Sequence, residues 1–270
     1  MGAQEPVKPA PVIKIDIEVV KEGKNAAHEK VETDWMATLR KANFPATYYA
    51  LSAMSGTSQV WWIQTMASFA ADEESQKFTD KEPLRNSWDT LDARDGELRA
   101  SSRKMWAVYR QDLSYKPESM NLSKTRYVDV ATYRIKLGKD DDLAGGAKAI
   151  FGAYAKGNVD MCILGYQVTA GAPQGTFLFF MTMDSLKVLD GGPELQRALK
   201  VGLPEPTYQQ LMKGTGDVFV SMEHDLFEVK PGMSLPSKSV ADGDPAFWKP
   251  KPSAKQGTPV SIPGPPEQKK

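Results

Sequence analysis

The feature that most constrains this chain is a long-period repeat. The segment DLSYKPESMNLSK, residues 112–124, is matched by DLFEVKPGMSLPSK, residues 225–238. Upstream, WAVYRQDL (106–113) matches FVSMEHDL (219–226) in its apolar positions, and VVKEGK (19–24) matches RIKLGK (134–139). Between them, TYYALSAMSG pairs with CILGYQVTAG, and SQVWWIQTMAS with GTFLFFMTMDS. The separation stays between 113 and 117 residues in every pair, and the order is kept. A preserved order and spacing of this kind marks a duplicated structural unit.

One copy yields the secondary structure of both. VIKIDIEVV alternates apolar Ile13, Ile15, Ile17 and Val19 with polar neighbours, the period-2 signature of a strand with one wet side. Val31, Trp35 and Leu39 recur at helical spacing, as do Leu143, Ala147, Ile150, Phe151 and Tyr154 in the second copy. The second helix opens on Asp140, Asp141 and Asp142, a favourable first-turn composition. Two strands follow in each copy, joined by SGTS or AGAPQGT, short Gly-containing links that read as hairpins. A further helical region and a last strand complete a β-α-β-β-α-β unit, the ferredoxin-like arrangement.

Such a unit covers one face of its antiparallel sheet with helices and leaves the other bare. The hairpin strands here are apolar on both faces, with Trp61 beside Trp62 and Phe177, Leu178, Phe179 and Phe180 in a row. Two bare faces of that kind are best buried against each other. On this topology and repetition the chain resembles the dimeric α+β barrel superfamily in a fused form, one chain supplying both halves. The expected fold class is therefore α+β, two ferredoxin-like repeats packed sheet to sheet as an intrachain pseudo-dimer. The expected organisation is an extended leader over residues 1–11, repeats over 12–124 and 125–238, and a Pro-rich tail over 239–270. That tail holds seven prolines and reads as extended or disordered, with Phe247 and Trp248 docking back.

Composition narrows the partners. Lys plus Arg and Asp plus Glu both number 34, and this zero net charge, without a basic stripe, argues against nucleic acid. No run approaches eighteen apolar residues, so no membrane span is expected. Fusion of the two halves removes the usual need for a homodimer, leaving a monomer or weak homo-oligomer. The start MGAQEPVKPAP looks like a trimmed leader, which points to a periplasmic or secreted protein, with the cytoplasm as the alternative. The single cysteine, Cys162, lies in an apolar run and reads as a small buried hydrophobe rather than a nucleophile.

The chemistry-bearing residues are sparse. His28 begins HEKVE, which misses the metalloprotease spacing, and is expected exposed at the start of the first helix. Two scattered histidines and one cysteine give no metal cluster of recognised spacing, so no metal is expected. His224 sits on the last strand among Val220, Met222 and Leu226, where the first copy has Gln111, and is the candidate catalytic residue. The resemblance implies haem-dependent enzymes and cofactor-free monooxygenases as relatives. In the related two-repeat peroxidases and chlorite-decomposing enzymes the haem ligand comes from a helix of the second unit, and that region here has no histidine. No cofactor is therefore expected.

The second candidate site is the face carrying Tyr48, Ala50, Ser52 and Met54, matched by Ile163, Gly165, Gln167 and Thr169. It is read as lining the barrel interior, with Tyr49, Leu51, Leu164, Tyr166 and Val168 packed under helices. Tyr48, Ser52, Gln64 and Gln167 would orient a ligand among Trp62, Phe179, Met181 and Met183. Two functions follow: a small-molecule-binding protein or cofactor-independent enzyme acting on an apolar or aromatic compound, or a non-catalytic scaffold with a filled barrel.

Overall fold

The computed structural model describes residues 8–213 and 215–249. Its elements run in the doubled order expected. The first set is β1 (Val12–Val20), α1 (Asn25–Lys41), β2 (Thr47–Ala53), β3 (Gln59–Met66), α2 (Phe69–Thr79), α3 (Leu84–Gly96) and β4 (Arg99–Tyr115). The second is β5 (Tyr127–Ile135), α4 (Asp140–Lys156), β6 (Cys162–Ala170), β7 (Thr176–Met183), α5 (Gly192–Gly202), α6 (Glu205–Lys213) and β8 (Phe219–Val229). The second helical region of each set is thus split in two, with Pro83 and Pro204 at the breaks.

The eight strands close into an antiparallel barrel in the order β1-β3-β2-β8-β5-β7-β6-β4. Each half contributes its four strands in ferredoxin-like order, and two seams join the halves. The β2–β8 seam pairs only Leu51–Ala53 with Val229–Phe227. The β4–β6 seam runs from Trp106 opposite Ala170 to Tyr115 opposite Ile163, with a register shift after Arg110. That irregularity brings the Leu113 carbonyl against Gly165, where an added Cβ would lie 2.4 Å from the oxygen. Gly171 (φ +87°) turns the β6–β7 hairpin so close to Lys104 that a Cβ would meet its carbonyl at 2.0 Å.

The barrel interior is a packed core. Ile13, Ile15 and Ile17 of β1 meet Leu51, Trp61, Met105, Val130, Leu164, Leu178, Phe180 and Phe227, drawn from both halves. Trp61 and Phe227 pack with ring centroids 5.2 Å apart. Two assignments made from the sequence alternation are reversed here. Tyr49, Leu51, Leu164, Tyr166 and Val168 point inward, whereas Tyr48, Ala50 and Trp62 pack under the helices with Val31, Trp35, Met36 and Leu39. The polar side of β1 is also covered rather than wet: Lys14 pairs with Asp72 of α2, and Glu18 with His28 of α1. His28, expected exposed, is 1% accessible. The cause is the same in each case. Both sheet faces are buried, so apolar alternation carries no sign, and charges enter the layer as pairs.

Beyond β8 the chain does not stay extended. Ser237 caps α7 (Lys238–Gly243) through the Val240 amide, and α8 (Pro245–Trp248) follows. Val240 and Trp248 are buried against one end of the barrel, and Trp248 Nε1 donates to the Ser123 carbonyl at 3.1 Å. Arg126 lies over the Phe247 ring at 3.7 Å and also pairs with Asp244. The remainder of the Pro-rich tail and the first seven residues lie outside the described residues.

Candidate functional site

The two halves fill their sheet–helix layers differently. In the first half, aromatic rings pack the space: Trp35 against Trp88, and Phe44 against Tyr48 and Phe78. In the second, β5, β6, β7 and β8 on one side and α4, α5 and α6 on the other border a cavity of about 700 Å³ that is open to solvent; His224 on its edge is half exposed. Ile163, Phe179, Leu195, Leu203 and Leu211 supply apolar wall, and Asp129, Tyr133 and His224 a polar edge. α4 lines the space with Gly145 and Gly146, where an added Cβ would meet nothing within 4 Å. Glycine inside a helix is unfavourable by about 1 kcal/mol against alanine, so this pair keeps the wall thin at a cost in helix stability.

The polar edge is built by strand register. Ala131 of β5 stands opposite His224 of β8, which sets Asp129 and Tyr133, two residues either side of Ala131, to flank the imidazole. His224 Nδ1 lies 3.3 Å from Asp129 Oδ1, and Nε2 lies 3.0 Å from the Tyr133 hydroxyl. The carboxylate fixes the proton of the neutral ring on Nδ1, leaving Nε2 to accept from Tyr133. The hydrogen bond that Nδ1–H donates to Asp129 raises the His224 pKa, and the Asp129 and Asp225 charges add to it, against the opposing effect of burial. Burial and the Asp129 charge raise that of Tyr133. Tyr133 is held by Phe179 and Phe219, each with its ring centroid 5.3 Å away. The arrangement can take a proton from a hydroxyl or acidic C–H presented at the cavity edge onto Nε2, directly or through Tyr133, with Asp129 at Nδ1 stabilising the imidazolium that forms.

Of the residues singled out from sequence, His224, Phe179 and Met181 converge on this cavity. Tyr48, Trp62 and Gln64 lie together elsewhere, under the helices of the first half. There the Tyr48 hydroxyl donates to Gln64 Oε1 (3.0 Å), Gln64 Nε2 donates to Ser75 Oγ (3.3 Å), and Trp62 Nε1 donates to Glu18 (3.3 Å). Ser52 is half-buried beside the β2–β8 seam, opposite Glu228. Gln167 accepts from Arg110 at 2.8 Å on β4. A smaller space of about 220 Å³ lies at the Trp248 end of the barrel interior, lined among the described residues by Tyr49, Leu51, Tyr166 and Phe180. Asp129 and Tyr133 escaped the sequence reading; their signal was a carboxylate and a phenol sharing a face with Ala131 in the alternating run YVDVATYRI. Cys162 is buried, and burial raises its thiol pKa, so it remains a core residue.

No family model and no curated protein matches this chain. Solved structures do. A monooxygenase-like protein from Fusobacterium nucleatum subsp. nucleatum aligns at TM-score 0.54 and 9% identity, over 83% of this chain and 94% of its own. An anthrone oxidase-like protein aligns at 0.52 and 12% identity, over 81% and 91%. A chlorite dismutase-like protein aligns at 0.51 and 9% identity, over 82% and 96%. The chain therefore has the dimeric α+β barrel fold, closed within one polypeptide. The haem that the resemblance brings in does not fit this cavity. α4, α5 and α6 carry no histidine, and both ring nitrogens of His224 are engaged. The described lining residues include Asp129, Asp141 and Asp142 but no lysine or arginine to pair with propionates.

Proposed function

We propose that the protein binds a neutral or cationic hydroxyaromatic molecule in the cavity of the second half, and that His224 acts there as a general base. The observation that carries this reading is the coincidence of an apolar cavity of about 700 Å³ with the Asp129–His224–Tyr133 array on its edge. The acidic rim favours a ligand without negative charge. Asp129 orients the imidazole and stabilises its cation, Tyr133 donates to a ligand oxygen or passes its proton to Nε2, and Phe179 and Met181 supply the ring-binding wall. Relatives of fold described as monooxygenase-like and anthrone oxidase-like fit a ligand of this class. The site sought inside the barrel thus moves to the outer face of the sheet.

The packed barrel core favours one second reading, a scaffold that does no chemistry. Native mass spectrometry of protein from its own source, followed by a screen of anthrones, naphthols and catechols, separates the two. Saturable binding that is weakened at least tenfold by Phe179→Ala, with turnover lost in His224→Ala, supports the enzyme. Binding unaffected by both substitutions, or no binding at all, leaves the scaffold.

A further inference from the structure

The sheet–helix layer of the first half contains a second polar cluster that the proposed reaction does not use. Glu18 lies on the helix-covered face of β1, His28 and Glu32 sit one turn apart on α1, and Asp95 lies near the end of α3. All four are buried, with Asp95 at 0% and His28 at 1% accessibility. His28 Nε2 stands 3.0 Å from Glu18 Oε2, 3.3 Å from Asp95 Oδ1 and 4.0 Å from Glu32 Oε1. One donor atom from each of the four lies within 4.8 Å of the others.

A single Nε2–H serves one oxygen, and three carboxylates face it. Asp95 is the one left over: Arg99 Nε is 2.8 Å from Oδ2, yet neither Asp95 oxygen receives a hydrogen bond of acceptable geometry. A wholly buried carboxylate left this way is costly. Charge gives the same sum. In the deprotonated form that a metal requires, the three carboxylates and the Arg99 guanidinium carry two negative charges between them, and one divalent cation cancels both.

We propose that Glu18, His28, Glu32 and Asp95 bind one divalent first-row transition cation of the zinc or manganese class. Ligands about 2.0–2.2 Å from such an ion lie roughly 3–3.6 Å from one another; Glu18 and Asp95, at 3.0 and 3.3 Å from Nε2, already stand at that spacing, and Glu32, at 4.0 Å, has to close in. An imidazole among the donors disfavours calcium and magnesium, which take oxygen ligands. Glu18 is held in place from outside the donor set, its Oε2 accepting from Trp62 Nε1 at 3.3 Å and its Oε1 from Arg99 at 2.9 Å. With every donor buried, the ion is structural, tying α1 and α3 to β1. No sequence spacing announces the site, because its donors come from three elements.

The test is metal uptake by the whole chain, refolded from urea and chelator with Zn²⁺, Mn²⁺ or Co²⁺ added singly. The expected result is one tightly held equivalent by elemental analysis, visible ligand-field bands with Co²⁺, and a melting temperature that rises with the logarithm of metal concentration. Glu32→Gln, which keeps size and loses charge, is expected to abolish uptake while retaining the native circular dichroism spectrum. Trp62→Phe is expected to weaken affinity about 10- to 100-fold. His224→Ala, in the other half, is expected to keep the metal, so failure of the proposed reaction and failure of this site are distinguishable. Refolded wild type that takes up none of the three cations overturns the proposal, as does a Glu32→Gln chain with the wild-type response.

Discussion

With Nδ1 held against Asp129, His224 presents Nε2 to the cavity edge through Tyr133. This contact has a measurable sign. Asp129 and Tyr133 face the ring from β5, Glu223 and Asp225 flank it on β8, and Asp141 and Asp142 of α4 line the same cavity. Because the folded pKa is raised, the favourable interaction is fully present below the unfolded value of about 6.5. It is lost as pH rises through the higher folded value. Asp129→Asn removes the largest cause, so the His224 midpoint in a proton NMR titration is expected to fall. An unchanged midpoint would mean that the 3.3 Å contact is not made in solution. The glycines of α4 act at the same scale. Gly146→Leu is expected to abolish ligand binding by filling the cavity. Thermal melting should show Gly146→Ala more stable by up to about 1 kcal/mol, because the added Cβ meets nothing and helix propensity improves.

At the scale of elements, what distinguishes one strand face from the other is what covers it. Trp61 faces the shared core and Trp62 the first-half helices, although the two are adjacent. Trp61→Ala is expected to cost about 3–5 kcal/mol in urea unfolding, because it empties space beside Phe227. Phe69→Ala, at an exposed helix start, should change stability by less than about 0.5 kcal/mol. The strands, helices and hairpins were legible in sequence because each is a local period, and the repeat doubled every signal. The choice between faces was not, since Tyr48 and Tyr49 are equally plausible core residues when both sides are buried. Nor was the site. His224 was visible as an imidazole on an apolar strand, but its partner Asp129 is 95 residues away, brought near only by the β5–β8 register. The His28 cluster was hidden for a related reason. His28 and Glu32 do share the buried face of α1 with Val31 and Trp35, but Glu18 and Asp95 join them from elsewhere in the fold.

Across the whole molecule, the core inside the barrel belongs to neither half. Ile15 and Trp61 come from one, Leu178 and Phe227 from the other. Unfolding is therefore expected to be a single transition. The chain offers a direct check: its six tryptophans are Trp35, Trp61, Trp62, Trp88, Trp106 and Trp248, and residues 125–238 contain none. Tryptophan fluorescence thus reports the first half and the docked α8, while far-ultraviolet circular dichroism reports both halves. Coincident midpoints in urea are expected, and separated ones would show that the halves melt independently. Closure of the barrel within one polypeptide also changes what a mutation means. In a barrel assembled from two identical chains, every substitution appears twice and must suit both places at once. Here each change enters once. One half is free to be solid where the other is hollow, and a single chain can carry an ionic cluster on one side and an apolar hollow on the other without compromise between them.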